Sequence, residues 1–281
     1  IIDNSPHSLM DDFGDIFDWT NSGYTNKVKP EHILWIDFTG LPAAGLGTND
    51  EQDFQGGHDF VPRLRDEPKD KKGRQKELKA ALAANGHEFG GYGGASPLPL
   101  LADRSSWDDG DLRYDKTFTK EYEGIPLKFV YCKKLWNLSS EFSPRGNKSE
   151  NFVMIRLADI YLMAGEAENE LNGPDNAYQY VNKVRERAFE PDQPWSGMTQ
   201  SEFRVEMQEE RMHELCMENH RKPDLVRWGI YVERIRNTQF QKHNAQAATN
   251  VQEKHRYAPI PLSEIQLNPN LLNTDPTNNG Y

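Results

Sequence analysis

The 281-residue sequence is short of three things, and each shortage removes a class of protein. It has only two cysteines, Cys132 and Cys216, which excludes both a disulfide framework and a zinc cluster of paired cysteines. No apolar run approaches the roughly 18 to 20 residues that a membrane-spanning helix needs. Basic residues are outnumbered, 33 Lys and Arg against 44 Asp and Glu for a formal net charge of −11. That balance argues against nucleic acid, whose binding depends on clustered cations that displace counterions from phosphate. There is no Gly-x-Ser-x-Gly elbow for a nucleophilic serine. The Gly-Gly-Tyr-Gly-Gly run around Tyr92 lacks the Lys and Ser/Thr of a phosphate loop.

What is present is core material. The chain carries 6 Trp, 11 Tyr and 13 Phe, far more than a disordered polypeptide. Ile33, Leu34, Trp35, Ile36 and Phe38 form one run of β-formers, closed by Gly40 and Pro42. Residues 45–62 and 86–111 are rich in Gly, Asn and Asp and read as long surface loops. Residues 63–79 hold eight basic and four acidic side chains, a solvated and partly helical stretch leading into the short helix QKELKAALAAN, which stops at Gly86. From residue 151 the pattern changes, because apolar residues recur at helical spacing. Helices are predicted over 151–171, 174–189, 200–219 and 224–236, with Pro174 in the first turn of the second and a Thr199/Glu202 capping box opening the third. The first two form a hairpin in which Gly165 and Ala177 keep the spacing of a tetratricopeptide-type repeat of about 34 residues. Residues 257–281 read as Pro- and Asn-rich extended chain. The expected class is mainly α, a tetratricopeptide-like α-α superhelix with long irregular loops and little β-structure. Within one fold, residues 1–150 would be a loop-rich ligand-binding region with short helices and an extended core segment, and residues 151–281 the helical region.

Chemistry is sparse. His213, Cys216 and His220, at spacings of 3 and 4, would share a helical face where zinc could sit, but no fourth ligand is apparent, and no metal or cofactor is assigned. Glu166, Glu168 and Glu170 on an amphipathic helix read as solvated surface. The Asp103, Asp108, Asp109 and Asp111 cluster fails calcium-loop spacing. No catalytic residue is assigned. Flat rings set among Asn, Asp and Arg in loops, where stacking and directional hydrogen bonds combine, are the better candidates for ligand contact: Trp19, Tyr24, Tyr92 and Trp107. Trp35, Trp136 and Trp228, in apolar or helical surroundings, are expected in the core.

The second half of the chain resembles the SusD/RagB family of surface nutrient-binding lipoproteins of the Bacteroidota. The resemblance rests on IRLADIYLMAGEAENELNG and VNKVRERA, then Glu210-Arg211, Glu214-Leu215, Glu218-Asn219-His220-Arg221, Asp224-Leu225, Arg227-Trp228-Gly229, YAPIP from Tyr257, Glu264 and Asn268-Pro269. Upstream, HILWIDF, the Gly-rich loop and Asp111-x-Arg113 are similar to the family pattern. Asn219 stands where the family usually has Gly, and Lys222-Pro223 replace a common aromatic pair.

The resemblance implies non-catalytic binding of extracellular oligo- or polysaccharide at the outer membrane and delivery to a SusC-like TonB-dependent transporter. It also implies that this chain is the C-terminal portion of a longer protein whose lipid anchor lies outside it. Oligopeptide binding within the family, or less readily a glycoside hydrolase, are the alternatives. Glu210, Arg211, Glu218, Arg221 and Asp224 are expected to form an ion-pair network joining helices.

Overall fold

The computed structural model describes residues 1–18, 29–36, 60–64, 67, 73–84, 93, 97–136, 151–239, 245–272, 277, 278 and 280. In chain order its regular elements are β1 (His32–Ile36), α1 (Arg74–Ala84), α2 (Pro99–Ala102), α3 (Arg113–Thr117), β2 (Phe118–Tyr122), β3 (Ile125–Cys132) and β4 (Phe152–Arg156). There follow α4 (Leu157–Asn172), α5 (Tyr178–Ala188), α6 (Gln200–Glu214), α7 (Arg221–Arg227), α8 (Tyr231–Asn237), α9 (Gln246–Asn250) and α10 (Leu262–Leu267). The class is mainly α, as expected.

The chain divides into two compact units, the first built from residues 1–97 and 101–218, the second from 98–100 and 219–281. Segments on both sides of 150 are bound together inside the first unit: β1 pairs antiparallel with β4, and Arg113 is ion-paired to Glu210 and Glu214.

The three-helix core of the first unit follows the sequence pattern. Ala158 and Leu162 of α4, Val181 and Val184 of α5, and Phe203 and Met207 of α6 are buried in one cluster with Ala177, Trp195 and Leu215. These residues fall at the helical spacings that bring side chains onto one face. Trp195 meets Phe203 edge to face, with centroids 5.4 Å apart. The capping box forms: the Thr199 hydroxyl accepts from the Glu202 N–H, and the Glu202 carboxylate accepts from the Thr199 N–H at 2.8 Å. Gly165 faces the second helix, but a Cβ there would lie 3.5 Å from the Ala177 carbonyl oxygen, an ordinary contact. The α4–α5 approach is therefore close without being one that only glycine permits.

Several boundaries differ from the sequence reading. The helix expected from residue 151 begins at Leu157, because Phe152–Arg156 form β4 against β1; Phe, Val, Met and Ile satisfy both periods, and an available strand edge decides between them. Pro174 opens a turn one turn before α5, accepting from the Ala177 and Tyr178 N–H groups. The third helix ends at Glu214, about a turn short of the expected Asn219, and Met217 and Asn219 beyond it have φ of 64° and 67°. The fourth divides into α7 and α8 around Gly229, whose φ is 75°. Beyond Tyr257, expected to be extended, the chain forms α10 and a 3-10 turn at Pro269–Leu272.

A second core lies under the β2–β3 hairpin, where Tyr122, Leu127 and Tyr131 pack with Val61 and with Leu78 and Leu82 of α1. Its two-residue turn, Glu123-Gly124, has positive φ at both positions, the primed geometry that matches strand twist. In the second unit, Leu225, Val232 and Val251 are buried, and the Asn278 side chain bonds both the N–H and the carbonyl of Ile260.

Candidate functional site

The largest concentration of polar chemistry in the first unit is buried. Arg113 is enclosed and spends its guanidinium on three carboxylates: Nε and Nη2 donate to Asp111 at 3.0 and 2.8 Å, and Nη1 to Glu210 at 2.6 Å and Glu214 at 3.0 Å. Arg156, also enclosed, donates to Glu31 at 2.7 Å, Glu214 at 2.5 Å and Glu218 at 2.8 Å. Arg185 pairs with Glu210 at 2.6 Å, Arg187 with Glu31 and Glu214, and Lys134 with Glu218 at 2.5 Å. Among the described residues the enclosed side chains of this set are five acids (Glu31, Asp111, Glu210, Glu214, Glu218) and five bases (Arg113, Lys134, Arg156, Arg185, Arg187), and the exposed Asp108 joins it 3.9 Å from Arg185.

Buried charge is tolerated only when paired and hydrogen-bonded, and these groups are. Burial alone would raise the carboxyl pKa values, but the cations outweigh it. Arg156 and Lys134 hold Glu218 down to about 2, Arg187, Arg156 and Arg113 hold Glu214 well below the usual range, and Arg113 and Arg185 hold Glu210 below it. Such acids stay ionised and donate no proton near neutrality, so the set acts as a clamp between segments distant in sequence.

The backbone delivers Asp111 to this clamp. Leu112 N–H bonds the Ala188 carbonyl and Glu190 N–H the Gly110 carbonyl. Gly110 has φ of 82°, and a Cβ there would lie 2.8 Å from the Glu190 carbonyl oxygen, so this close approach requires glycine.

The residues expected to form a network have partners outside that set. Glu210 and Glu218 bind upstream bases, Arg211 pairs with Asp159 at 2.8 Å, and Asp224 with Arg227 at 2.9 Å. Arg221 opens α7. Sequence reading gave no role to Glu31, Lys134, Arg156, Arg185 and Arg187; the signals in hand were Asp111-x-Arg113 and the motifs IRLADIY and VNKVRERA, which contain Arg156, Arg185 and Arg187.

The proposed ligand contacts divide. Trp19, Tyr24 and Tyr92 lie outside the described residues. Trp107 is placed, and it offers no open face: it is 4% exposed, stacks on His213 with centroids 4.0 Å apart, and donates its Nε1–H to the Leu101 carbonyl at 3.0 Å. It belongs to a core with Phe118, Cys132 and Cys216. The correction has a physical reason, since indole buries well once its single N–H is bonded. The same packing removes the helical face imagined for His213, Cys216 and His220, because α6 ends at Glu214. Asp103 caps a 3-10 turn through the Ser105 N–H, and Glu170 pairs with Arg204 at the surface. Trp35, Trp136 and Trp228, expected in the core, are half-buried.

Trp136 lines an open cleft of about 190 Å³ with Gly14, Phe17, Asp18, Lys116, Lys133 and Lys134. Its Nε1–H is bonded to the Phe60 carbonyl at 2.8 Å and its ring leans on Tyr122, which fixes the indole's orientation. A fixed ring flanked by ammonium and carboxylate groups is the arrangement that binds a polar, planar-faced ligand. Pockets enclosing drug-sized ligands run to about 300–1,000 Å³; this cleft is smaller, on the scale of a subsite.

Comparison with known proteins follows the same lines. The sequence profile of the SusD family matches residues 107–281. SusD-like protein P25 of Formosa agariphila is 41% identical over 290 residues, covering all of this chain and 54% of that protein. SusD-like protein P2 of the same organism is 29% identical over 220 residues, covering 69% of this chain and 42% of that one. Among solved structures, surface glycan-binding protein A from Bacteroides thetaiotaomicron in complex with laminarihexaose superposes with a TM-score of 0.67 at 18% identity, over 95% of this chain and 55% of that one. A SusD superfamily protein from Parabacteroides distasonis gives 0.64 at 20%, over 96% and 54%. The chain spans about half the length of the relatives it matches.

Proposed function

The chain belongs to the SusD family, and from that membership we propose that it binds extracellular oligo- or polysaccharide at the bacterial cell surface without transforming it. In this reading bound glycan passes to a SusC-like TonB-dependent transporter in the outer membrane, to which the full-length protein is tethered by a lipid anchor. The observation that carries the proposal is the family match across residues 107–281.

One feature of the chain supports the binding reading. The open cleft at Trp136 offers a rigid ring with polar neighbours, suited to stacking on a sugar face. Trp19, Tyr24 and Tyr92 are proposed as further ring contacts on their sequence surroundings alone. Among the described residues, no helix is long and apolar enough to cross a membrane.

The test is calorimetry against a polysaccharide panel and a peptide pool, with product analysis after prolonged incubation. Saturable binding to a glycan that is recovered intact supports the proposal. Capture of peptides alone, or shortened glycan products, replaces it with one of the alternatives.

A further inference from the structure

Among the described residues, the cleft beside Trp136 carries one positive charge that no carboxylate pairs with. Three of the lysines at or near it are committed. Lys134 is buried, with Nζ held by Glu218 at 2.5 Å and by the Cys216 carbonyl at 3.0 Å, over the rings of Phe13 and Phe17. Lys116 pairs with Asp12 at 2.8 Å, both half-exposed. Lys29 donates to the Asp18 carbonyl at 2.8 Å, setting a cation beside the cleft's one acidic residue. Lys133 is different. Its backbone is pinned by an N–H bond to the Thr117 carbonyl at 2.8 Å, its side chain is exposed, and among the described residues no carboxylate pairs with it.

We propose that this cleft is a subsite for one sugar ring bearing an anionic group, a uronate carboxylate or a sulfate ester, with the ring on Trp136 and the anion on Lys133. The half-exposed Lys116 is placed to act as a second donor by exchanging its contact with Asp12. A neutral ring gains only the indole and the hydroxyl bonds. An acidic one adds a charge-assisted hydrogen bond to an ammonium that otherwise faces solvent, and such bonds are shorter and about twice as strong as neutral ones. In a chain of net charge −11, a locally cationic cleft also sets where an acidic ligand can approach. The inference rests on the glycan-binding reading and narrows it to a ligand class.

The test measures Kd by calorimetry for length-matched neutral, uronate-containing and sulfated oligosaccharides, with the whole 281-residue chain, its Lys133→Gln variant and its Trp136→Ala variant, at about 50 and 500 mM salt. Lys133→Gln is an exposed substitution, and an unchanged melting temperature establishes that it folds. The expected result is at least ~10-fold tighter binding of one acidic class than of the neutral glycan. Lys133→Gln should weaken the acidic ligand at least ~10-fold more than the neutral one and so remove that preference, and high salt should weaken the acidic ligand selectively, because an exposed pair is screened. Whichever acidic class binds more tightly names the group. Equal affinity for neutral and acidic glycans, or an equal loss for both in Lys133→Gln, overturns the inference and leaves glycan binding standing. Binding of no glycan overturns both.

Discussion

Arg113 and Glu210 stand 97 positions apart in the sequence and 2.6 Å apart in the structure, and neither is open to solvent. Glu210 is shared with Arg185, and Arg113 with Asp111 and Glu214, so removing one member strands several buried charges. Arg113→Ala should therefore cost about 3–5 kcal/mol, the usual penalty for leaving buried charge uncompensated. Arg113→Lys should recover only part of this, since a point charge cannot replace the bidentate fork on Asp111. Urea denaturation checks both; a loss below about 1 kcal/mol in Arg113→Ala would show that the clamp is not a main support of the fold.

Acid should weaken the protein in two stages. His32 is buried, with burial and Arg156 holding its pKa at about 4 against an ordinary 6.5. Between those values the unfolded chain binds a proton that the native state refuses, so stability falls as pH drops from 6.5 to 4, by on the order of 3 kcal/mol. Glu218, held at about 2 against 4.5, acts in the next window: its contribution is complete above pH 4.5 and is lost as pH falls toward 2. Denaturation midpoints measured from pH 7 to 2.5 check this, and His32→Gln should reduce the upper stage without removing it, because His213 is also held below its ordinary pKa by burial and Arg113.

The two tryptophans should separate structure from binding. Trp107→Ala opens a cavity among Phe118, Cys132 and Cys216 and should cost about 3–5 kcal/mol while leaving ligand affinity per folded molecule unchanged. Trp136→Ala, at a half-buried ring, should weaken ligand binding. Paired melting and calorimetric titrations on both variants decide the assignment.

Two backbone positions carry opposite expectations. Gly110→Ala places a Cβ 2.8 Å from the Glu190 carbonyl oxygen at a φ of 82° and should destabilise by about 2 kcal/mol or more. Asn219 has φ of 67°, so Asn219→Gly should be neutral within about 0.5 kcal/mol, whereas Asn219→Val should cost about 1–2 kcal/mol. Thermal melts of the three variants are sufficient.

Asn219 also shows what the sequence could convey. In the sequence it stands only as a departure from the Gly of the family pattern; the structure shows a left-handed residue there, a conformation that Gly and Asn both tolerate. The α4–α5 hairpin, the Thr199 cap and β1 were legible because each is written in local spacing and cap chemistry. The β2–β3 hairpin was not, since Glu-Gly is a weaker turn signal than Asn-Gly or Asp-Gly and its strands alternate poorly. The clamp was half legible: Glu210, Glu214 and Glu218 cluster in α6 and just beyond, but their partners come from four other segments, and pairing at such separations leaves no periodic trace. Trp107 misled because a loop aromatic with polar neighbours looks the same whether its face is open or covered by His213.

Calorimetric titration of the 281-residue chain with a panel of neutral and acidic oligosaccharides, with products analysed afterwards, tests the central claim most directly. The account predicts saturable binding to at least one glycan, recovered intact, with affinity lowered by Trp136→Ala and untouched by surface substitutions away from the cleft and from Trp19, Tyr24 and Tyr92. A folded protein that binds no glycan in the panel, or one that returns shortened products, would contradict it.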